Sequence, residues 1–407
     1  MDRFIHTICL SFVVLTLLLF GDNSSYGDPS LKDPDIKLEK VVEGFSRPTG
    51  ISFLGSDDFL VIEEDTGKVK RIIDGNMPQT ILDVDVSTND SRGLIGIDST
   101  VIGDKTFVFL YFTESSSIDG GKPLGNRLYR YELVNGQLTN QKLLLDMPAG
   151  PGSKDNGGPV VVGPDNNLYS ATGHVAGDED KGHETKAQNF NNGSDADGTS
   201  GIHSVTLDGN IIGSGILGST DLMGTYYAYG IRNIFGMDFD PITLRLWISE
   251  NGVYTNDEIN LVEPGFNGGW KRITGLAPSD FDYTSLVTFN GSGKYRDPEF
   301  VWKNTVSPTA LLFFNSDNFG PHYTNDLLVG DYEFGRIYHF ELNSERNALL
   351  LNGSLVDKVA DNDKELQDII FGEGFGVPTD LEIGPDGMLY VSSLRDGAIY
   401  QISKSEN

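Results

Sequence analysis

Tyr226 to Trp270 reads YYAYGIRNIFGMDFDPITLRLWISENGVYTNDEINLVEPGFNGGW, and its pattern decides the fold. Gly236-Met237-Asp238-Phe239 and Leu244-Arg245-Leu246-Trp247-Ile248 are two short runs with the period-two alternation of strands, separated by a turn. Two flanking parts are polar beyond what folding requires. Gly230-Ile231-Arg232-Asn233 sets a cation and an amide directly after a flexible glycine, and Glu250-Asn251-Gly252 to Asp257-Glu258 is an acidic, turn-rich loop.

The same strand-turn-strand unit recurs. Gly50-Ile51-Ser52-Phe53 leads to Phe59-Leu60-Val61-Ile62 and then Val69-Lys70-Arg71-Ile72. Related units lie at residues 93–133, 158–207, 236–262, 309–342 and 381–402. Helical periodicity is scarce. Small antiparallel sheets repeated along a chain bury their faces against one another in a β-propeller. The expected fold is all-β, a six-bladed β-propeller of four-stranded antiparallel blades. Residues 36–407 form one domain, residues 28–35 a linker, and Ile36 to Val42 an outer strand that closes the ring with the last unit. Residues 172–199 and 267–297 are long loops, and loops of that length in a compact fold are functional or disordered.

Charge and composition narrow the function. A net charge of -29 over 407 residues lacks the concentrated Lys and Arg that phosphate backbones require, so nucleic acid is excluded as a partner. Arg3 followed by the apolar run Ile8 to Phe20 and the small, polar residues 21–27 reads as a secretory signal peptide, residues 1–27, or else an uncleaved anchor. No other segment is long and apolar enough to span a bilayer, so a secreted or extracytoplasmic location is expected. The single cysteine, Cys9, lies inside that signal, leaving the mature chain without a disulfide. Sequons at Asn89, Asn192, Asn290 and Asn352 are compatible with export.

Metal and cofactor candidates follow from residue chemistry. The loop from Gly173 to Gly201 carries His174, His183, Asp178, Glu179, Asp180, Glu184, Asp195 and Asp197 without any established ligand spacing; a transition-metal site and a solvated acidic loop both remain open. Glu250 to Glu258 suits calcium, because hard cations take carboxylate and carbonyl oxygens, and it equally suits a plain turn. Arg232 on a strand entering the channel suits an anionic ligand or one of the neighbouring carboxylates. Trp247, Trp270 and Trp302 are expected in the core. The hydrolase elbow, the zincin motif and the dinucleotide-binding fingerprint are absent from the sequence.

YAYGIRNIFGMDFDP, then ISENG and NDEINLVEPGFNGGW, resembles the soluble quinoprotein glucose/sorbosone dehydrogenases, including aldose sugar dehydrogenases. Gly157-Gly158 before Val162-Gly163-Pro164-Asp165, Ala187-Gln188-Asn189 and the last repeat from Thr379 to Val391 support it. The resemblance implies a sugar or alcohol substrate, an electron acceptor of unknown identity, pyrroloquinoline quinone and calcium. It places Gln188, Arg232 and Asn233 at the quinone, and Gly252, Val253, Asp257 and Gly268 at calcium. The family's catalytic histidine slot holds Asp155, and its partner carboxylate slot holds His174. The exchanged pair is expected to stay coupled, with either member as general base beside Arg232. The family's lysine slot holds Glu333, and its arginine slots before the last repeat hold Val377 and Thr379. Two other readings stand beside this one. The first is a non-catalytic calcium-binding propeller that binds carbohydrate or protein; the second is a calcium-dependent lactonase-type hydrolase, which needs channel carboxylates drawn from several blades.

Overall fold

The computed structural model describes residues 27–177 and 182–405. Each sequence repeat becomes a sheet, and each sheet is built on a four-stranded antiparallel meander. The first runs Pro48–Gly55, Asp58–Glu63, Lys68–Ile73 and Gln79–Asp83; the second runs Leu94–Ile102, Lys105–Ser115, Pro123–Val134 and Gln137–Met147. The third holds Val160–Val162, Asn167–Thr172, Gly201–Thr206 and Tyr226–Tyr229, and the fourth Ile234–Phe239, Leu246–Glu250, Thr255–Val262 and Phe300–Asn304. The fifth holds Pro308–Phe313, Leu327–Asp331, Ile337–Phe340 and Ile370–Glu373. The sixth takes three strands from the C-terminus, Pro378–Ile383, Leu389–Ser393 and Ala398–Lys404, and its outer strand, Ile36–Glu43, from the N-terminus. The first strand of every sheet packs against that of the next, and the last returns to the first, so the sheets form a ring around a channel. The fold is an all-β propeller.

The expectation of six uniform four-stranded blades needs correction. The third sheet has an inner strand of only three residues and gains the two-residue strands Phe266–Asn267 and Lys294–Tyr295 in parallel. With that sheet set apart for its irregularity, five regular blades remain rather than the six expected. The fourth sheet gains Val359–Ala360, and the fifth gains Ser30–Leu31 from the stretch expected to be a linker. The physical reason is shared: backbone of the connecting segments satisfies its hydrogen bonds on exposed sheet edges. The signal segment lies outside the described residues apart from Gly27. Among the described residues no helix is long and apolar enough to cross a membrane.

Two features hold the ring. Aromatic side chains fill the wedges between sheets, as where Trp247, Phe300, Trp302, Phe313, Tyr338 and Phe340 pack between the fourth and fifth. Near the channel the sheets approach too closely for side chains: a Cβ on Gly96 would lie 2.0 Å from the Gly158 carbonyl oxygen, and one on Gly236 2.6 Å from the Leu311 amide. Carboxylates then staple alternate seams. Asp98 accepts from Val162 N at 2.6 Å (second sheet to third), Asp238 from Phe313 N at 2.8 Å (fourth to fifth), and Asp380 from Ile51 N at 2.6 Å (sixth to first). Each also accepts from the amide of the residue that follows it.

Burial pushes Asp98 up to about 6 and Asp238 and Asp380 up to about 7, with mutual repulsion adding to Asp238 and Asp380. Folding therefore takes up protons in the interval between the unfolded value of 3.8 and these raised values. This contribution to stability is complete below the unfolded value and disappears as pH rises to about 7. Urea unfolding across that interval is expected to give a smaller negative slope of stability with pH in Asp238→Asn than in the parent. Equal slopes would contradict this assignment.

Candidate functional site

The site forms where the third and fourth sheets meet, around the opening stretch. Gly230 turns at φ +71 with its Cα against Asn267, where a Cβ would sit 2.1 Å from Oδ1. That turn delivers Arg232 into the ring, 8% exposed. Its amide donates to Glu250 Oε1 at 2.6 Å, and its carbonyl accepts from the His174 amide at 2.8 Å. Among the described residues the guanidinium reaches the following acceptors. NH1 donates to the carbonyls of Asn251 (3.0 Å) and Gly252 (2.9 Å), and NH2 donates to Asp155 Oδ2 at 2.9 Å.

Asp155 and His174 come together as the exchanged pair requires. His174 Nε2 lies 2.8 Å from Asp155 Oδ2, the same oxygen that Arg232 meets. His174 is fully buried behind Asp155, edge-on to Trp270 at 5.0 Å between ring centroids. The Arg232 guanidinium carbon lies 5.8 Å from the Trp270 ring centroid. Trp270 is thus core, as expected, and also packs against two site residues. Only Asp155 of the pair reaches the adjacent pocket of about 430 Å³, whose wall includes Lys154, Asp155, Arg232, Asn233, Gly252 and Tyr254. This pocket adjoins a channel cavity of about 890 Å³, with Lys154, Asn251 and Glu333 in both walls.

The other expected residues divide. Asn233 lines the pocket, and its Oδ1 accepts from Gly157 N at 3.1 Å while its carbonyl accepts from Asn251 N. Val253 also lines the pocket. Gln188 does not; it is 1% exposed, with Nε2 at 3.4 Å from Thr199 Oγ1. Gly268 stands outside both cavity walls, its amide donating to the Tyr229 carbonyl at 3.0 Å. Asp257 is fully buried and already saturated: Oδ1 accepts from Gly252 N, and Oδ2 accepts from Thr305 Oγ1, Val306 N and Ser307 N, at 2.6 to 2.7 Å. It clamps the acidic turn to the segment between the fourth and fifth sheets.

Sequence reasoning missed the support behind that turn. Glu250 and Glu258 are directly opposed across adjacent strands, and Asn260 Nδ2 lies 3.4 and 3.0 Å from their Oε2 atoms. Burial, with each carboxylate's acidic neighbours adding repulsion, holds Glu250 well above the usual range and pushes Glu258 up to about 7. The signal was an acid at each end of a buried hairpin. In the long loop, Asp178, Glu179 and Asp180 lie outside the described residues. His183 is bonded to Asp197 and the Gly150 carbonyl, and no group of three His, Cys, Asp or Glu suited to a metal occurs among the described residues.

The class that the fold and site define is an all-β propeller with a buried arginine–carboxylate–imidazole group beside its channel. The profile of the Glucose / Sorbosone dehydrogenase family matches residues 45–401, and the chain belongs to that family. Quinoprotein glucose dehydrogenase B of Acinetobacter calcoaceticus is 26% identical over 344 residues, covering 75% of this chain and 71% of its own. The aldose sugar dehydrogenase of Escherichia coli is 31% identical over 169 residues, 40% of each chain. The PQQ-bound aldose sugar dehydrogenase of Streptomyces coelicolor shares the fold at a TM-score of 0.66 and 20% identity, over 93% of this chain and all of that one.

Asp257→Ala would leave four donors without their acceptor, and is expected to lower the unfolding free energy by about 3 kcal/mol. Urea denaturation measures it. A loss below about 0.5 kcal/mol, the size of an ordinary surface change, would refute the clamp.

Proposed function

We propose that this chain is an exported, sugar-binding member of the glucose/sorbosone dehydrogenase family that takes an aldose or related alcohol into the pocket over Asp155. The observation that carries the reading is the one-sided use of Asp155. Its Oδ2 is anchored by His174 and Arg232, while Oδ1 accepts nothing among the described residues. A carboxylate oxygen held in place at a pocket wall is a ready acceptor for a ligand hydroxyl. Asn233, Asn251 and Lys154 supply further polar groups around it, and Tyr254, 82% exposed at the rim, supplies an apolar face. The pocket volume is at the small end of ordinary ligand sites.

Hydride transfer from a sugar hydroxyl to pyrroloquinoline quinone, with calcium, is the activity that the family and the names of the relatives suggest. The residues here do not fit those two groups. The Gly252 carbonyl assigned to calcium already accepts from the Arg232 guanidinium, and Asp257 has both oxygens occupied. The quinone's three carboxylates would face Asp90, Asp155 and Glu333 in the pocket wall. Like charges about 4 Å apart repel by roughly 1 to 4 kcal/mol at the dielectric of a protein surface. The cations in that wall are Lys154, which makes no ion pair among the described residues, and Arg232, which is already bonded to Asp155, against three such carboxylates. The reading adopted is therefore sugar binding on a dehydrogenase scaffold, with Asp155 as the hydroxyl acceptor and His174 as the residue that orients it.

Calorimetric titration of the mature protein with aldoses and alditols, in the absence of quinone, tests this. Binding is expected for the parent and at least a tenfold loss for Asp155→Ala, the size of one charge-assisted hydrogen bond. Micromolar binding of quinone with calcium-dependent dye reduction by aldoses would overturn the reading in favour of quinoprotein oxidation.

A further inference from the structure

The ends of the second strands deliver side chains to the mouth of the channel. Asn251 follows Leu246–Glu250 in the fourth sheet, Tyr332 follows Leu327–Asp331 in the fifth, and Leu394 follows Leu389–Ser393 in the sixth. All three line the 890 Å³ cavity. Glu64 holds the same place in the first sheet, directly after Asp58–Glu63, and lines the same cavity.

Glu64 is 8% exposed and held through one oxygen. Arg47 Nε and NH2 both donate to Oε2, at 2.8 and 2.6 Å, while Oε1 accepts nothing among the described residues. Gly93, at φ +138, packs against the side chain so closely that a Cβ there would stand 2.7 Å from Glu64 Cγ. The arrangement repeats that of Asp155: a buried carboxylate with one oxygen fixed by an arginine, on the wall of a cavity. Burial pushes Glu64 up to about 7 against the pull of Arg47. Because Arg47 occupies Oε2, Oε1 is the oxygen left for a ligand, as an acceptor when the group is ionised and as a donor when it carries a proton there. Either form suits a hydroxyl, which both donates and accepts.

The 430 Å³ pocket over Asp155 does not include Glu64 in its wall, but the two cavities share Asp90, Ser91, Lys154 and Glu333. A ligand that meets both anchored carboxylates therefore extends out of the smaller cavity into the larger, past those polar side chains. The larger cavity is near the upper end of ordinary ligand sites, and the partly exposed Tyr332 adds ring surface to its wall.

We propose, resting on the sugar-binding reading above, that Glu64 is a specificity-determining residue: its Oε1 hydrogen-bonds a hydroxyl of a second sugar unit, so the ligand is a glycoside of two or more units whose first unit lies on Asp155. The first sheet thus supplies one contact and the third sheet's entry segment the other.

Calorimetric titration of the mature protein with glucose, maltose and cellobiose, in the absence of quinone, tests this. One of the two disaccharides is expected to bind about tenfold more tightly than glucose, the size of one further hydrogen bond. Glu64→Ala is expected to reduce that advantage to about one. Reading the ratio to glucose within each variant separates loss of the contact from general damage to the fold. An advantage that survives Glu64→Ala would overturn the assignment. Glucose bound by the parent with no disaccharide advantage would overturn it too, leaving the Asp155 reading in place. No sugar of either length bound by the parent would overturn both.

Discussion

The buried Arg232 guanidinium is the interaction on which the mouth of the channel depends. It donates to Asp155 and to the carbonyls of two consecutive residues after the fourth sheet's second strand. One planar cation thus joins the segment before the third sheet to the turn of the fourth, in a seam where the backbones are already in contact. A guanidinium suits this task better than an ammonium, because its fixed fork of donors serves several acceptors in one plane. The same commitment shapes function. A carbonyl already facing a guanidinium is a poor ligand for a second cation, and a carboxylate anchored on one oxygen presents the other to the pocket.

The ring below obeys a related constraint. Where inner strands approach within backbone contact, as at Gly96 and Gly236, no space is left for a side chain, and alternate seams are closed by carboxylates accepting amide hydrogens across them. Those carboxylates face the channel, where burial and mutual repulsion raise them towards neutrality. An arrangement that helps to close the propeller therefore also concentrates acidity inside it. The upper pocket and the acidic channel are two consequences of one architecture: short inner strands around an axis, with polar groups only where backbone must be satisfied or a ligand met.

Much of this was legible in the sequence. The repeats, the closing N-terminal strand and the buried tryptophans follow from alternation and turn spacing, which are local properties. The pairing of Asp155 with His174 followed from the resemblance, because an exchanged pair keeps its spacing on the scaffold. The added edge strands were not legible; two-residue segments such as Phe266–Asn267 carry no periodicity and are defined by the edge they meet. Nor were the acceptors of Arg232, since carbonyl direction in the Asn251–Gly252 turn depends on Asp257 fixing the Gly252 amide from across the loop. Asp98, Asp238 and Glu382 are visible as acids in strands, with nothing to say what they face. Alternation separates two faces of a strand without saying that one of them lines a channel.

The most direct test of the account is a crystal structure of the mature protein grown with glucose, calcium and pyrroloquinoline quinone together. The account predicts a sugar hydroxyl on Asp155 Oδ1, with Arg232 still on the Asn251 and Gly252 carbonyls and no quinone in the pocket. Quinone in the pocket, with calcium on the Gly252 carbonyl and Arg232 displaced from it, would contradict it.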